Sequence, residues 1–349
     1  MIYLLLTADS FRESALEELG RAARYRIIGG QHNLILADIE QMKDEKALDG
    51  ARFIYSYFPL YRHARLDAKR YMQSLNNGMA MLKLSKKTST KLECFEINCK
   101  QGYSAKDIEV AIGKRLERDG YNIDLVNPEI LAYCILMDGM CYFGYIRLSE
   151  HTHGSIDPFR YNKEKSVSRA EFKIIEAFRE FGLAAPKIAI DMGASPGGWS
   201  LFLAKSGASV IAIDGAKLEY EKIRSAGVKV TIAKHPGKAA MNQDRLKPKS
   251  IIHFRCVLDE AAGDLKGIKA DFIGDDINVG GIESSRAVIK YLRFMEKDAV
   301  LIMTVKCMHR NVDRYIKEVE SALKPKFRIM RWKVLPHNRQ EITLFARRR

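Results

Sequence analysis

The sequence lacks any apolar run long enough to cross a membrane, and this absence restricts the classes of protein to consider. A membrane-spanning helix needs about 20 apolar residues, whereas the longest apolar runs here, such as residues 299–305, are short enough to be buried strands. Residues 1–6 are apolar, but no basic residue precedes them and charged residues follow closely. We therefore expect a strand there rather than a signal peptide, and a cytoplasmic protein without a membrane partner.

Metal-binding and disulfide motifs are also lacking. The six cysteines form no C-x-x-C pair and no cluster with histidine, which predicts free thiols in a reducing compartment and no metal site.

Acidic residues are fewer than basic ones, since the chain contains 43 Asp and Glu and 58 Lys and Arg, a net charge of +15. Such an excess favours a polyanionic partner, most often nucleic acid. We expect this surplus to lie across the N-terminal half and the linker after it, and in the last three residues, Arg347–Arg349.

The length of 349 residues predicts two or three domains. Residues 1–60 alternate between a strand over 1–7, a helix over 13–24 and a strand over 34–39, with a turn at Gly29-Gly30. This alternation predicts a small α+β domain of ferredoxin-like type.

Residues 61–150 show the pattern of a second α+β domain. Ser104 and Asp107 have the spacing of a capping box, which marks the start of a helix, and Asp138-Gly139 is a dipeptide typical of tight hairpins. The predicted elements are a strand over 92–99, a helix over 105–118 and two paired strands over 131–137 and 140–147.

The chain changes character after residue 150. Residues 151–167 are polar and contain Gly154 and Pro158, which predicts a linker. From 168 to 349, short apolar strands alternate with helical segments, as expected of a mostly parallel sheet with helices on both faces. We predict a Rossmann-like α/β sheet that ends in an antiparallel hairpin, because only a short turn joins the last two strands. The predicted strands cover residues 187–192, 209–214, 251–257, 271–276, 299–306, 327–335 and 341–346.

The most informative segment is a glycine-rich turn after the first of these strands. It reads D-M-G-A-S-P-G-G-W over residues 191–199, and glycines allow backbone N–H groups to approach a ligand closely. Asp214 ends the next strand, where a carboxylate can bind ribose hydroxyls. The turn fits the dinucleotide pattern G-x-G-x-x-G poorly, because its strand ends in an aspartate and Pro196 lies in its middle. A nicotinamide-dependent oxidoreductase is therefore the less favoured interpretation.

Together with its strand, helix and Asp214, this turn resembles the cofactor motif of S-adenosylmethionine-dependent methyltransferases. Its D-x-G-x-x-P-G-G-W form is most similar to that of FtsJ/RrmJ-type RNA 2′-O-methyltransferases. The resemblance implies that Asp214 holds the ribose of the cofactor and that Asp259 is a candidate for contact with its adenine. It also implies that the turn surrounds the methionine part of the cofactor through Asp191, Gly193, Ala194, Ser195, Pro196, Gly197, Gly198 and Trp199.

FtsJ-type enzymes carry a K-D-K-E set of charged residues, and four segments here are similar to the motifs that contain it. The segments are S-R-A-E-F-K at 168–173, D-F-I-G-D-D at 271–276, V-L-I-M-T-V-K at 300–306 and Q-E-I-T-L-F-A at 340–346. A five-residue offset in the second segment favours Asp276 over Asp275. The resemblance thus implies a tetrad of Lys173, Asp276, Lys306 and Glu341.

The chemistry of methyl transfer to a ribose explains why such a set is needed. A 2′-hydroxyl is a weak nucleophile and must attack the sulfonium methyl group in line. A lysine that is partly desolvated beside a second cation can accept a proton near neutral pH. We therefore favour Lys306 as the base, with Asp276 orienting it and with Lys173 and Glu341 positioning the ribose.

Residues 62–148 resemble a THUMP domain, a module of RNA-modifying enzymes, chiefly in the D-L-V-N-P segment at 124–128 and the paired strands after it. Basic residues of the helix, with Lys100 and Lys106, would bind phosphates without reading sequence. A THUMP-like unit ahead of an FtsJ-type domain is the layout of RlmM-type ribosomal RNA methyltransferases. A generic α+β packing domain is the alternative for this region.

These observations lead to one hypothesis, an S-adenosylmethionine-dependent 2′-O-methyltransferase of structured RNA, with ribosomal RNA favoured over transfer RNA. A non-catalytic RNA-binding protein of the same fold is an alternative, although it would not need all four charged residues. A cytosine methyltransferase needs a nucleophilic cysteine in a P-C or T-C context, which Cys307 lacks. Nothing in the sequence indicates an oligomeric state.

Overall fold

The computed structural model describes residues 1–43, 48–65, 71–97, 104–149, 166–233, 243–307 and 311–349. The chain divides by its internal contacts into two compact units, Met1–Asp157 and Pro158–Arg349, called unit 1 and unit 2 below. The domain boundaries expected at residues 60/61 and 167/168 stay predictions. Most of the expected linker, residues 151–165, lies outside the described residues, as does Lys100.

Unit 1 contains two four-stranded sheets. One is antiparallel and has the strand order β2-β3-β1-β4, and the other has the order β5-β8-β7-β6, in which only β6 and β7 are parallel. The elements are β1 (Ile2–Leu6), α1 (Arg12–Ala22), β2 (Ala23–Gln31), β3 (Leu34–Met42), β4 (Ser56–Leu60), β5 (Arg62–Arg65), α2 (Tyr71–Ala80), β6 (Thr90–Ile97), α3 (Ala105–Arg118), β7 (Ile130–Met137) and β8 (Met140–Arg147).

Two local predictions in unit 1 are confirmed. The Ser104 hydroxyl accepts a hydrogen bond from the Asp107 backbone N–H, and the Asp107 carboxylate accepts one from the Ser104 N–H, so α3 begins with a capping box. Asp138 and Gly139 both have positive φ, at 47° and 74°, as a two-residue hairpin turn requires.

The turn expected at Gly29-Gly30 is wrong. Both glycines lie inside β2, and the turn to β3 is formed by His32 and Asn33 instead, with His32 at φ 50°. A Cβ on Gly29 would lie 2.2 Å from the sulfur of Met137 in β7, so a larger residue here would require the flexible end of that side chain to move. Strands β4 and β5 and helix α2 were not expected from the sequence.

Unit 2 is a Rossmann-like α/β sheet of eight strands in the order β11-β12-β10-β9-β13-β14-β16-β15. The first six of these strands are parallel, whereas β16 is antiparallel to both β14 and β15, which confirms the expected edge hairpin. Strand β11 was not expected. The elements are α4 (Ala170–Glu180), β9 (Ile188–Met192), α5 (Gly198–Lys205), β10 (Ser209–Ile213), α6 (Tyr220–Ser225), β11 (Lys229–Ile232), β12 (Ser250–Phe254), α7 (Leu258–Asp264), β13 (Ala270–Asp275), α8 (Gly281–Tyr291), β14 (Met295–Lys306), α9 (Val312–Leu323), β15 (Phe327–Lys333) and β16 (Glu341–Arg348).

The order of the strands determines where a ligand can bind in unit 2. The chain proceeds from β9 to β10 on one side of β9, and β13 pairs with β9 on the other side. This reversal opens a crevice at the carboxyl ends of β9, β10 and β13, which is where open α/β sheets bind ligands. Within the described residues, no helix combines the length and the apolar character that a membrane span requires.

The charge of the chain is divided unevenly between the units. The expectation that the N-terminal half carries the surplus is wrong, whereas the last three residues, Arg347–Arg349, lie in the basic unit 2. Residues 1–157 contain 21 Lys and Arg and 21 Asp and Glu, whereas residues 158–349 contain 37 and 22, so the net +15 belongs entirely to unit 2. On α3, Lys106 is paired with Glu109, and Arg115 is paired with Asp119 at 2.9 Å.

The terminal arginines are engaged with the backbone. Arg347 donates to the carbonyl of Asp298, Arg348 to that of Met295 and Arg349 to that of Lys324. These bonds fasten the end of β16 to neighbouring segments, so part of the basic surplus has a structural use.

Candidate functional site

Four charged side chains predicted from separate motifs converge in unit 2. Lys173 Nζ lies 3.3 Å from Asp276 Oδ1 and 2.6 Å from Glu341 Oε2. Lys306 Nζ is paired with Glu341 Oε1 and lies 3.8 Å from Asp276 Oδ1. Each lysine therefore contacts both carboxylates, and the four residues form one network, called the tetrad below.

The fold explains this convergence. Asp276 directly follows β13, and Lys306 ends β14, which is parallel to β13. Glu341 begins the antiparallel strand β16 and is the register partner of Lys306. Lys173 reaches the same edge of the sheet from the first turn of α4. The choice of Asp276 over Asp275 agrees with this geometry.

The charges of the tetrad are balanced, with two ammonium groups facing two carboxylates. The side chains are 6% exposed for Lys173, 13% for Asp276, 12% for Glu341 and 19% for Lys306. Burial raises the pKa of Glu341, but the nearby charges and hydrogen bonds of Lys173 and Lys306 outweigh this effect and lower the pKa below its ordinary value. Glu341 is thus held ionised, and Lys306 is the member most open to solvent.

Residues that the sequence did not indicate support the tetrad. The hydroxyl of Thr304, two residues before Lys306 on the same face of β14, donates to Asp276 Oδ1. Its spacing of two residues from the lysine is the one signal that could have identified it. The Asn338 side chain donates to the carbonyl of Glu341 at 3.0 Å and fixes the start of β16.

The turn between β15 and β16 is also tied to α4. The backbone N–H of His337 donates to Glu176 at 3.0 Å, and the His337 ring is hydrogen-bonded to the same carboxylate. The ring stacks on Phe172 with centroids 4.8 Å apart. Since Phe172 precedes Lys173 and His337 lies in the turn that leads to Glu341, this contact connects the segments that supply two tetrad members.

The glycine-rich turn lies beside the tetrad, between β9 and α5. Gly193 has φ 76°, and a Cβ at this position would lie 3.0 Å from backbone atoms of Ile277, so no other residue fits without strain. The N–H of Ser195 donates to Asp214 Oδ2 at 3.0 Å, and the N–H of Ala216 donates to Oδ1 at 2.7 Å. The turn thereby holds the Asp214 carboxylate at the mouth of the crevice.

A cavity of about 500 Å³ opens next to this carboxylate. Asp214 and Gly193 form part of its wall, and Asp259 lies on the wall as well, with its carboxylate paired to Lys290 at 2.9 Å. The other lining residues are Ile213, Gly215, Cys256, Val257, Leu258, Ile277, Glu283, Arg286, Ala287, Lys290 and Tyr291. This mixed polar and apolar lining and this volume suit a small organic ligand.

Not every residue predicted to surround a cofactor reaches this cavity. Trp199 is buried beneath the turn, and its ring N–H donates to the carbonyl of Ala170 in α4 at 2.8 Å. A Cβ on Gly198 would lie 2.5 Å from the Ser168 hydroxyl. Gly198 and Trp199 therefore allow α5 to pack against α4, and the resulting contact places Lys173. The lining of the cavity also does not include Asp191, Ala194, Ser195, Pro196 or Gly197.

Two buried carboxylates stand behind the turn in similar positions. Asp191 is the penultimate residue of β9 and accepts a hydrogen bond from Ser200 at 2.5 Å. Asp275 is the last residue of β13 and accepts a hydrogen bond from Ser284. Both side chains are fully buried, and burial raises the pKa of each to about 7. Oδ1 of Asp191 has no hydrogen-bond partner.

The environment of Cys307 disfavours a nucleophilic role for its thiol. Burial raises the pKa of its thiol to about 12, so the nucleophilic thiolate is scarce at neutral pH.

Within the parts of the chain that the structure describes, no group of three or more His, Cys, Asp or Glu side chains has the geometry to hold a metal ion.

A mostly parallel sheet of this order, with a glycine-rich turn after one strand and an acidic residue after its neighbour, has the architecture of a Rossmann-like methyltransferase. Residues 166–270 match the family described as FtsJ-like methyltransferase. The chain thus contains an FtsJ-like methyltransferase domain, and the cofactor of that class is S-adenosylmethionine.

Two relatives illustrate the sequence similarity. Ribosomal RNA large subunit methyltransferase M of a Shewanella species is 28% identical over 163 residues, which cover 42% of this chain and 44% of the relative. Ribosomal RNA large subunit methyltransferase E of a Wolbachia strain from Brugia malayi is 47% identical over 55 residues, which cover 15% and 25%. The chain spans less than half the length of these relatives.

Among solved structures, TrmN from Thermus thermophilus is similar over the whole of both chains, with a TM-score of 0.40 and 13% sequence identity.

Proposed function

We propose that this protein is an S-adenosylmethionine-dependent RNA methyltransferase that methylates a ribose 2′-hydroxyl of structured RNA, with ribosomal RNA favoured over transfer RNA. The observation that carries the proposal is the tetrad, because four charged residues from separate motifs converge at the ligand-binding edge of an FtsJ-like domain. Solitary surface charges would not be buried and paired in this way.

The residues beside the tetrad fit S-adenosylmethionine. Asp214 would hold the ribose, since each of its oxygens accepts one backbone N–H and retains a further lone pair for a hydroxyl. The wall of Leu258 and Tyr291 near Asp259 suits an adenine ring. When bound, the cofactor supplies a methyl group that its sulfonium charge has already activated.

The exposure of the tetrad residues supports different roles for the two lysines. Lys306, at 19%, is the tetrad member most accessible to a substrate, and in its neutral form its Nζ would accept the 2′-hydroxyl proton. Lys173, at 6%, is enclosed between both carboxylates and would keep them in place. Asp276, fixed by Thr304, would orient Lys306, and Glu341 would help to position the ribose.

The charge of unit 2 supports RNA as the partner. Its net +15 favours a polyanion, and two arginines lie near the tetrad. Burial, followed by the charge of Arg339, lowers the pKa of Arg169, while Glu341 and Asp276 act in the opposite direction. Arg169 lies directly before α4, which supplies Lys173, and Arg339 lies two residues before Glu341, so both are candidates to bind phosphates of the RNA.

The test is a comparison of Lys306→Ala with Lys317→Ala, which removes an exposed lysine of α9. RNA from cells that lack the gene would be incubated with each variant and the cofactor, and ribose methylation would be mapped by mass spectrometry. We expect Lys306→Ala to lose at least about 100-fold in rate, as for removal of a general base, while binding S-adenosylmethionine normally in calorimetry. Lys317→Ala should behave as the unaltered protein.

The same experiment separates the alternatives. Near-normal methylation by Lys306→Ala would refute the assignment of the base, and methylation of a base instead of a ribose would refute the reaction. Tight binding of NAD without binding of S-adenosylmethionine would favour an oxidoreductase. Cofactor binding without any methyl transfer to RNA would favour a non-catalytic protein. We further propose a cytoplasmic location, which fractionation of cells would check.

A further inference from the structure

Unit 1 contains a cavity of about 340 Å³ whose walls are mainly aromatic. Four tyrosines contribute, together with Pro59, Ile146 and Arg147. The tyrosines are Tyr3, Tyr57, Tyr61 and Tyr145. We call this site the tyrosine cavity. It belongs entirely to unit 1, and the proposed methyl-transfer site makes no use of it.

The cavity forms where the chain passes from one sheet to the other. Strand β4 is an edge of the first sheet and β5 is an edge of the second, and a single residue, Tyr61, separates the two strands. Between them, the N–H of Tyr61 donates to the carbonyl of Phe143 in β8 and brings its ring to 5.3 Å from that of Tyr145. Tyr3 of β1 and Tyr57 of β4 form the other wall, with ring centroids 6.3 Å apart.

The backbone beneath these rings is held firmly. The Pro59 carbonyl accepts a hydrogen bond from the Tyr133 hydroxyl at 2.6 Å and lies so close to Gly144 that a Cβ there would be 2.3 Å away. The Tyr57 hydroxyl donates to Asp49 at 2.5 Å. A site with fixed walls loses little conformational entropy when a ligand binds.

The chemistry of the walls favours a planar, unpaired base over a phosphate backbone. Unit 1 has a net charge of zero, so general attraction of phosphates cannot be its main means of binding. Aromatic rings instead stack on bases that are not already stacked in a duplex. Arg147 in the wall, and the exposed Arg62 and Arg65 of the adjoining strand β5, add positive charge next to the rings.

We propose that the tyrosine cavity binds an unpaired nucleotide of the RNA substrate, with its base against the tyrosine rings and its phosphate at Arg147. This inference rests on the proposed function only in taking RNA as the partner. It assigns to unit 1 the recognition of a single-stranded segment by stacking.

The test uses the full chain and a ten-nucleotide single-stranded RNA that carries 5-iodouridine, which crosslinks to nearby aromatic side chains on irradiation. We expect peptides that contain Tyr61 or Tyr145 to be crosslinked, and a fully base-paired probe to leave them unmodified. In fluorescence anisotropy at about 0.5 M salt, where phosphate contacts are weakened, Tyr61→Ala should bind the probe about 5- to 150-fold more weakly, which corresponds to about 1–3 kcal/mol for one stacked base.

Tyr61→Phe is the matched control, since it keeps the ring and should bind within about twofold of the unaltered protein. Tyr61 is 41% exposed, and circular dichroism of Tyr61→Ala should show an unchanged fold. Crosslinks confined to unit 2, or equal affinity of Tyr61→Ala and the unaltered protein, would overturn the proposal. So would a loss of self-association in Tyr61→Ala with no change in RNA affinity, because the occupant would then be a second copy of the chain.

Failure of this inference is distinguishable from failure of the proposed function. Ribose methylation with crosslinks only in unit 2 would refute the proposed role of the tyrosine cavity and support the proposed enzymatic function. Crosslinks at Tyr61 or Tyr145 in a protein that transfers no methyl group would support the proposed role of the tyrosine cavity and refute the proposed enzymatic function.

Discussion

Replacement of Glu341 by glutamine tests whether the charge balance of the tetrad stabilises unit 2. The substitution keeps the shape of the side chain but leaves two ammonium groups facing one carboxylate. Lys173 then loses its contact at 2.6 Å, and Lys306 loses its paired carboxylate. Because these lysines are only 6% and 19% exposed, water replaces little of the lost interaction.

The magnitude follows from the cost of an unpaired buried charge. Removal of one partner of a buried ion pair costs about 3–5 kcal/mol, and the partial exposure of Lys306 favours the lower end, about 3 kcal/mol. Lys173→Met leaves one net negative charge and should cost a similar amount. The double variant restores neutrality, since Asp276 and Lys306 remain as a pair 3.8 Å apart. It should therefore lower the free energy of unfolding by about 4 kcal/mol rather than by the sum of the single losses, about 6 kcal/mol. The difference is expected because residues in one network are coupled by about 0.5–3 kcal/mol.

Tryptophan fluorescence during urea unfolding measures these effects selectively. The protein has two tryptophans, Trp199 and Trp332, and both are buried in unit 2, so their signal follows that unit alone. Glu318→Gln is the control, since it breaks an exposed pair with Arg314 on α9 and should cost less than about 1 kcal/mol. Single variants that each cost less than 1 kcal/mol, or losses that add in the double variant, would refute the reasoning.

Three further predictions concern the crevice. Asp214→Asn should weaken binding of S-adenosylmethionine in calorimetry by at least about tenfold, because an amide N–H then faces a backbone N–H. Gly193→Ala should destabilise unit 2 by about 1–3 kcal/mol in the fluorescence assay, since alanine at φ 76° is strained and meets Ile277; an unchanged midpoint would contradict this. Between about pH 4 and 7 the native state keeps the proton on Asp275 that the unfolded chain releases, so this residue should lower the unfolding free energy by up to about 1 kcal/mol for each unit by which the pH rises. Asp191, whose pKa is raised in the same way, adds a slope of the same sign. Asp275→Asn should therefore reduce the slope without abolishing it, and an identical slope would exclude the raised pKa of Asp275.

The tetrad could be predicted from sequence because four local segments resemble the motifs that carry the charged set of FtsJ-type enzymes. The five-residue offset within residues 271–276 was enough to separate Asp276 from Asp275, and the structure buries Asp275 against Ser284 instead. Thr304 was missed because its contact with Asp276 joins segments far apart in the chain, which periodicity does not reveal. Asn338 contacts Glu341 only three residues away, but it belongs to none of the motifs recognised in the sequence. Trp199 matched the motif in sequence but packs against α4.

Unit 1 was predicted less completely because its signals conflict. Glycines usually indicate turns, yet Gly29 lies within β2, beside the end of the Met137 side chain. Strand β4 contains Pro59, a residue that argues against a strand unless the strand is at an edge, and β4 is at an edge. The capping box at Ser104 was recognised because both of its partners lie within four residues of each other.

If the protein binds RNA as proposed, the distribution of charge predicts a different mode of binding for each unit. Unit 2, with its net +15, would attract phosphates, and that attraction weakens steeply with salt. Unit 1 is neutral and offers rings instead, and stacking depends little on ionic strength. If both contribute, truncation of Tyr61 should lower RNA affinity by a similar factor at low and high salt, whereas neutralisation of Arg339 should reduce the slope of affinity against salt. The two losses would then have different physical origins even if they were equal in size at one salt concentration.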